Sequence, residues 1–122
     1  SIHTHRTNYT GPVYFIFKTD NKEVIVMSII KTKDFILDEF GTLKFNPGIQ
    51  IVENTMTKDI KNKIKKVIIN KDIKMIDYLG FNGAHNLEEV VFEDGIKRIG
   101  SYAFSSCKKL TLCPKGLLIF SS

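Results

Sequence analysis

The hexapeptide Ile-Lys-Lys-Val-Ile-Ile at residues 64–69 returns in pattern 23 residues later, as Leu-Glu-Glu-Val-Val-Phe at residues 87–92. Each apolar position of the first run is apolar in the second, and nine apolar positions keep this shift between residues 64 and 110. A constant period of this length is typical of repeat proteins, in which each unit buries its apolar side only by stacking on its neighbours. The sequence therefore predicts stacked repeats with strands in parallel.

The repeat extends beyond these two runs with small slips in spacing. Residues 43–52 match residues 67–76 at a shift of 24, and residues 95–99 match residues 116–120 at a shift of 21. The last unit is incomplete, and it is either an atypical terminal cap or the start of a further repeat in a longer chain. We predict repeat units at residues 43–63, 64–86 and 87–109, and a partial unit at residues 110–122.

Within each unit, local signals indicate two short strands and a helical turn. In the clearest unit, residues 87–92 and 96–99 are strand-like, and Glu-Asp-Gly at residues 93–95 has turn chemistry. Residues 101–109 are expected to form a helical turn that is too short to be stable alone. The fold class predicted from these signals is a β-rich α/β fold. The side chains expected to point into its interior are Ile64, Val67, Ile69, Ile73, Ile76, Phe81, Leu87, Val90, Phe92, Ile96, Ile99, Phe104, Cys107 and Leu110.

One stretch resembles a known family. Residues 99–111, Ile-Gly-Ser-Tyr-Ala-Phe-Ser-Ser-Cys-Lys-Lys-Leu-Thr, followed by Cys-Pro at residues 113–114, are similar to the leucine-rich repeat of BspA-like, adhesin-like surface proteins. Residues 76–87 look like a diverged copy, with Asp, Gly and Ala in place of the Gly, Ala and Cys of that pattern. The resemblance implies a short leucine-rich-repeat solenoid, protein–protein binding and cell adhesion, and a place at the cell surface or outside the cell. It brings no catalytic residues.

The N-terminal 42 residues do not repeat. A polar stretch separates two β-rich runs at residues 13–17 and 24–30, and this order predicts a β-hairpin. Residues 33–40 are compatible with a helical turn or with a third strand, and Gly41 is expected to end that element. Because the open end of a stacked array exposes core and strand edges, we predict that residues 1–42 form an N-terminal β-hairpin cap.

Composition and charge exclude several classes of protein. The content of 43% hydrophobic and 25% charged residues is ordinary for a globular chain and argues against extensive disorder. The longest apolar run, residues 13–17, is too short to span a membrane, and the first residues lack the apolar core of a signal peptide. The formal net charge of +5 is concentrated in residues 58–74, which contain seven lysines and two aspartates. Two cysteines are too few for a disulfide-rich scaffold.

The outward face of the predicted strands is the candidate partner-binding surface. Lys65 and Lys66 of one unit should lie beside Glu88 and Glu89 of the next, so the charges should match across a parallel ladder. Two apolar side chains are expected to face outward in one column, and they are the best candidates for a contact with a partner. The complete candidate surface is Lys65, Lys66, Ile68, Glu88, Glu89 and Val91.

A second candidate is a basic patch of Lys58, Lys61 and Lys63, which we place in the loop before the first of these strands. Unmatched lysines attract acidic partners. A nucleic acid is disfavoured, because grooves that bind nucleic acids usually add stacking aromatic side chains and residues 58–74 contain none. An acidic glycan or an acidic protein surface remains open.

Few residues suggest a catalytic site, a metal site or a site of covalent modification. Cys107 and Cys113 are expected inside as reduced thiols, and the alternatives are a disulfide between them or a nucleophilic Cys107 assisted by His85. His3 and His5 alternate as metal ligands on a strand would, but no third ligand lies nearby. Asn-Tyr-Thr at residues 8–10 is a glycosylation acceptor if the chain is secreted. We predict no catalytic residues, no metal and no cofactor.

The sequence thus predicts a non-enzymatic protein–protein recognition module that is adhesin-like, with a host or matrix protein as its partner. The alternative is a structural subunit or a fragment of a larger multi-chain assembly, in which neighbouring subunits are the partners. The oligomeric state does not follow from the sequence, and a repeat fold alone does not set function.

Overall fold

The computed structural model describes residues 11–111, with side chains described for residues 20–22 and 29–111. The structure is mostly β-strand, in two sheets that do not close on themselves, with a single short helix among the described residues. The elements in chain order are β1 (Gly11–Thr19), β2 (Lys22–Lys31), β3 (Phe35–Leu37), β4 (Thr42–Phe45), β5 (Ile51–Val52), α1 (Lys58–Lys63), β6 (Lys66–Ile69), β7 (Met75–Ile76), β8 (Glu89–Phe92) and β9 (Arg98–Ile99).

The register of the paired strands follows the repeat period of the sequence. The larger sheet has the order β1-β2-β3-β4-β6-β8, and the smaller sheet has the order β5-β7-β9. Strands β1 to β4 pair antiparallel, whereas β4, β6 and β8 pair parallel, as do the three strands of the smaller sheet. Leu43 lies beside Val67, and Val67 lies beside Val90, which reproduces the shifts of 24 and 23 read from the sequence. The parallel pairing of successive units is therefore confirmed.

The predicted β-hairpin is confirmed as β1 and β2. Its two-residue turn, Asp20 and Asn21, has positive φ angles of 48° and 63°, as the tight type I′ turn of a hairpin requires. Residues 33–40, for which the sequence left two alternatives, contain a third strand, Phe35–Leu37, and no helix. This strand ends before the turn that contains Gly41, whose φ is 88°. The hairpin and β3 lead the chain, without a break in the sheet, into the first parallel strand.

Residues 101–109 do not form the expected helical turn. They form a series of separate turns, each closed by an N–H that donates to the carbonyl three residues earlier, and residues 77–87 do the same. Tyr102 and Ser106 have left-handed φ angles of 58° and 62°, which a right-handed helix of L-residues does not accommodate. The turns of successive units are joined to each other by a third line of hydrogen bonds, 2.7 to 3.1 Å long, from the N–H groups of Leu79, Phe81 and Gly83 to the carbonyls of Ser101, Ala103 and Ser105.

One apolar core extends from Ile30 in β2 to Ala103. Of the fourteen side chains predicted to point inward, nine are buried, and the other five are partly exposed but packed against the core. Aromatic rings mark its course: Phe35 meets Phe45, Phe45 meets Phe81, and Phe81 stacks on Phe104 with ring centroids 5.4 Å apart. The predicted orientation of these side chains is therefore confirmed.

Candidate functional site

The outward face of β6 and β8 has one of the two charge pairs expected from the sequence. Lys66 lies directly beside Glu89 in the ladder, and its Nζ is 3.7 Å from Oε1 of Glu89. Both side chains are about half exposed, so the ion pair lies in solvent and contributes little stability. Lys65 and Glu88 lie one residue before the paired strands and are exposed, and within the described residues their side chains form no ion pair.

Ile68 and Val91 form the expected apolar column, because they are direct neighbours in the ladder between β6 and β8. Both are partly exposed, whereas the alternate residues Val67 and Val90 are buried. This alternation follows from the geometry of a strand, in which successive side chains point to opposite faces. The structure therefore presents two adjacent β-branched side chains on the outer face of the larger sheet.

The row of outward side chains continues across the sheet to β3. Ile68 pairs with Lys44 of β4, and Lys44 pairs with Ile36 of β3. We call Ile36, Lys44, Ile68 and Val91 the face row. Its first two members were not predicted. The alternation of Leu43, Lys44 and Phe45 identifies the outward side of Lys44. Residues 35–37 are all apolar, so no alternation marks the outward side of Ile36.

The lysines of the predicted basic patch lie on a helix, not in a loop. Helix α1 begins after Thr57, whose side-chain hydroxyl accepts a hydrogen bond from the N–H of Ile60 at 3.3 Å. Lys58 and Lys63 are exposed, but Lys61 is only 8% exposed. The three lysines therefore do not form one exposed patch.

Lys61 is buried because the helix turns it to the same side as Ile64, three residues later. Its Nζ donates a hydrogen bond to the carbonyl oxygen of Leu79 in the next unit, at 3.4 Å. Burial lowers the pKa of the Lys61 amine, and the proximity of Cys107 partly offsets that effect. Lys61 was predicted to be exposed because lysine side chains are almost always exposed.

Cys107 is a half-buried thiol that packs against the core. Its Sγ donates a hydrogen bond to the carbonyl oxygen of Phe81 at 3.3 Å, and burial raises its pKa to about 11. His85 is exposed and donates from Nδ1 to the carbonyl oxygen of Ser106, at 3.0 Å. A thiol that stays protonated at neutral pH, with the imidazole bound elsewhere, does not have the arrangement of an activated nucleophile.

Several sequence predictions fall on residues outside the described part of the chain. These are the disulfide between Cys107 and Cys113, the metal site at His3 and His5, the glycosylation acceptor at residues 8–10, and most of the partial unit at residues 110–122. Within the described residues, no group of three or more His, Cys, Asp or Glu side chains could hold a metal ion. No helix in that same part of the chain is long and apolar enough to cross a membrane.

The repeat geometry agrees with a comparison to known families. A family model described as the BspA type leucine-rich repeat region matches residues 27–114 in six copies. The chain belongs to the BspA-type leucine-rich repeat family. The match begins within β2, in the segment predicted to be the cap, and it includes β3 to β9. BspA-type repeats are in general non-enzymatic modules that bind proteins. No curated protein and no solved structure matches the chain.

Proposed function

We propose that the chain is a short leucine-rich-repeat solenoid that recognises a protein partner without catalysis, in the manner of an adhesin. The solenoid is supported by the constant register, since both parallel sheets advance by 24 and then by 23 residues. The turns of successive units add a third line of hydrogen bonds on another side. Repeat units stacked in this way build an extended surface that suits binding to another macromolecule.

The partner contact is the face row, and the observation that carries it is the pairing of Ile68 with Val91. These two partly exposed apolar side chains lie next to the solvent-exposed pair of Lys66 and Glu89. Apolar residues surrounded by charged ones are the usual composition of a recognition surface, in which the apolar contact supplies affinity and the charged rim supplies specificity. A host or matrix protein with an apolar contact point and charges of both signs fits this face.

The absence of catalysis in this proposal rests on the family and on the state of the thiol. BspA-type repeats are in general not enzymes. Burial raises the pKa of Cys107 to about 11, further from neutral pH, and His85 is bound to a backbone carbonyl. The location that goes with an adhesin-like role is the cell surface or the extracellular space.

A second candidate function is that of a structural subunit in a multi-chain assembly. In that case, the face row is covered by a neighbouring chain, which the partial exposure of Ile68 and Val91 equally allows. The two functions differ in the partner, because an adhesin-like module binds foreign proteins as a single chain, whereas a structural subunit binds chains of its own assembly.

The test measures binding to a panel of purified host and extracellular-matrix proteins by surface plasmon resonance. The wild-type chain is compared with the double variant Ile68→Asp/Val91→Asp. Ile51→Asp is the matched control, because Ile51 is also an exposed isoleucine on a strand, but it belongs to the smaller sheet and is 48% exposed. Thermal unfolding followed by circular dichroism checks that all three chains are folded.

We expect the double variant to bind at least about tenfold more weakly than the wild type, which corresponds to a loss of about 1.4 kcal/mol, while the control variant binds normally. Equal binding by the double variant and the wild type would sink the proposal for the face row. Binding to no member of the panel, together with recovery of the chain in a stable complex from its source, would favour the structural subunit.

A further inference from the structure

An open cavity of about 270 Å³ lies between strands β2 and β3 and the end of helix α1. Its apolar lining comes from Ile29, Ile30 and Leu37, of which Ile30 and Leu37 belong to the core. The turn at residues 38–41 and the end of helix α1 with the residues that follow it form its other walls. The cavity therefore reaches from solvent to the apolar core.

Phe40 stands at the rim of this cavity and is 74% exposed, the largest exposure among the large apolar side chains of the described residues. The turn that carries it is held by hydrogen bonds. Oδ1 of Asp38 accepts from the N–H groups of Phe40 and Thr42, each at 2.9 Å, and the N–H of Gly41 donates to the carbonyl of Asp38. Because the backbone is already ordered, little further conformational entropy is lost when the ring is buried by a partner.

The cavity and the exposed ring match in size and polarity. A closed apolar cavity of roughly 150 Å³ is enough to bind benzene, so this open one can admit a phenyl ring. Burying an exposed phenylalanine side chain contributes about 1.5–3 kcal/mol. Phe40 lines its own cavity from the rim and is 74% exposed, so its ring leaves the cavity open to a ring from another molecule.

The charges around the cavity point to the identity of that molecule. Asp38 and Glu39 lie on the wall formed by the β3–β4 turn, and Lys63 and Lys65 lie on the wall formed by the next unit. A two-fold axis brings the acidic wall of one copy against the basic wall of the other, and it does so twice. The two walls are therefore complementary in charge in such an arrangement.

We propose that a second copy of this chain occupies the cavity, with Phe40 of each copy inserted into the cavity of the other. Glu39 of each copy then lies against Lys63 of the other. The resulting interface is small, so the dimer is weak and forms at high protein concentration. It leaves Ile68 and Val91 free, so that the proposal does not depend on the function proposed for the face row.

Sedimentation velocity from about 5 µM to about 500 µM, a range that brackets a weak dissociation constant, tests the proposal. We expect the wild type to show a reversible monomer–dimer equilibrium and Phe40→Ala to weaken it at least about tenfold. Tyr78→Ala is the matched control, because Tyr78 is an aromatic side chain of a later unit that is 52% exposed. It should dimerise as the wild type does. A wild type that stays monomeric throughout, or a Phe40→Ala variant that dimerises normally, overturns the proposal.

A charge exchange tests the pairing of the two walls. Glu39→Lys places a positive charge opposite Lys63 of the second copy, and Lys63→Glu places a negative charge opposite Glu39, so each variant alone should dimerise poorly. An equimolar mixture of the two variants should form heterodimers, because both contacts are then between opposite charges. The association of the mixture should weaken with added salt. A mixture that associates no better than its components would contradict the two-fold arrangement, and circular dichroism verifies that both variants are folded.

Discussion

Two successive repeat units have the same sequence pattern but are not buried to the same extent. In residues 64–86, the inward apolar side chains from Ile64 to Ala84 are fully enclosed, with no exposed surface. In residues 87–109, Phe92, Ile96, Phe104 and Cys107 retain some exposure. The described residues supply a hydrogen-bonded neighbour on both sides of the first unit and on one side of the second. Burial in this fold is therefore supplied by neighbouring units rather than by the composition of a unit itself.

The largest effect on stability is expected when the equivalent phenylalanine of each unit is replaced by alanine. Phe81 is fully enclosed, whereas Phe104, its counterpart 23 residues later, is partly exposed. Phe81→Ala should lower the free energy of unfolding by about 3–5 kcal/mol, because the cavity it leaves is closed on all sides. Phe104→Ala should cost about half as much, since part of that ring already faces solvent.

Urea unfolding followed by circular dichroism measures both effects, and the wild type is unfolded under the same conditions. If the two substitutions cost the same, the enclosure of the middle unit is not what stabilises its ring. The denaturant slope is to be compared as well, because a changed slope would show that the transition is no longer two-state.

A smaller effect is expected at Gly100, where the backbones of the two units lie close together. A Cβ atom on Gly100 would lie 2.5 Å from the backbone nitrogen of Tyr78, so no side chain fits there without a shift of the backbone. Gly100→Ala should therefore cost about 1–3 kcal/mol through overpacking. Its counterpart one unit earlier is Asp77, which already has a side chain and donates its own N–H to the carbonyl of Val52.

Asp77→Ala is the matched control for Gly100→Ala. It removes the hydrogen bond from the N–H of Tyr78 to Oδ1 of Asp77, which is worth about 1 kcal/mol or less at an exposed site. Thermal unfolding of both variants gives the comparison. A Gly100→Ala variant as stable as the wild type would show that the spacing between the units relaxes freely.

Cys107 occupies the position that Ala84 occupies one unit earlier, and this difference makes one unit sensitive to alkaline pH. Burial raises the pKa of the Cys107 thiol from 9.0 to about 11. The unfolded chain loses this proton above pH 9, while the folded chain retains it until about pH 11. The stability that the protonated thiol gives the folded chain is therefore present below pH 9, and it is lost as the pH rises from 9 to 11.

Because the thiol is half exposed, we expect the loss to be on the order of 1 kcal/mol, less than full burial would give. Urea unfolding of the wild type and of Cys107→Ala at a series of pH values measures it. The difference in unfolding free energy between the two chains should change between pH 9 and pH 11. Parallel pH profiles for the two chains would exclude Cys107 as the titrating group.

The smallest effect concerns the ion pair between the two units. Lys66 and Glu89 lie 3.7 Å apart in solvent, and a double-mutant cycle with Lys66→Ala and Glu89→Ala should give a coupling energy of about 0.2–1 kcal/mol. The coupling should decrease in high salt. A coupling above this range that resists salt would show that the pair is shielded from solvent and that the strand face is covered.

The parts of the fold that repeat were predictable from the sequence, because a constant shift constrains every strand at once. The register of Val67 with Val90 follows from the spacing of apolar residues alone. The hairpin followed from two β-rich runs, and its turn at Asp20 and Asn21 lies within the predicted polar stretch. Helix α1 has no counterpart in the next unit, so the repeat provided no information about residues 58–63.

The prediction of a helical turn at residues 101–109 is wrong for a different reason. Single residues such as Tyr102 and Ser106 adopt left-handed backbone angles there, although nothing in their side chains favours this conformation. The carbonyls of the residues just before them, Ser101 and Ser105, accept hydrogen bonds from the turns of the neighbouring unit. In the same way, the candidate surface was predicted at Ile68 and Val91 from alternation, whereas the burial of Lys61 depends on packing that no local pattern contains.

The near-constant register also has a consequence for how the chain folds. The backbone hydrogen bonds that join successive repeat units connect residues 22 to 25 positions apart in the sequence. Each unit that docks therefore closes a loop of the same modest length, at nearly the same entropic cost. No contact between repeats requires distant parts of the chain to find each other first, which favours rapid folding. Structure can start at the enclosed middle unit and grow from it in both directions, one unit at a time, as a zipper closes.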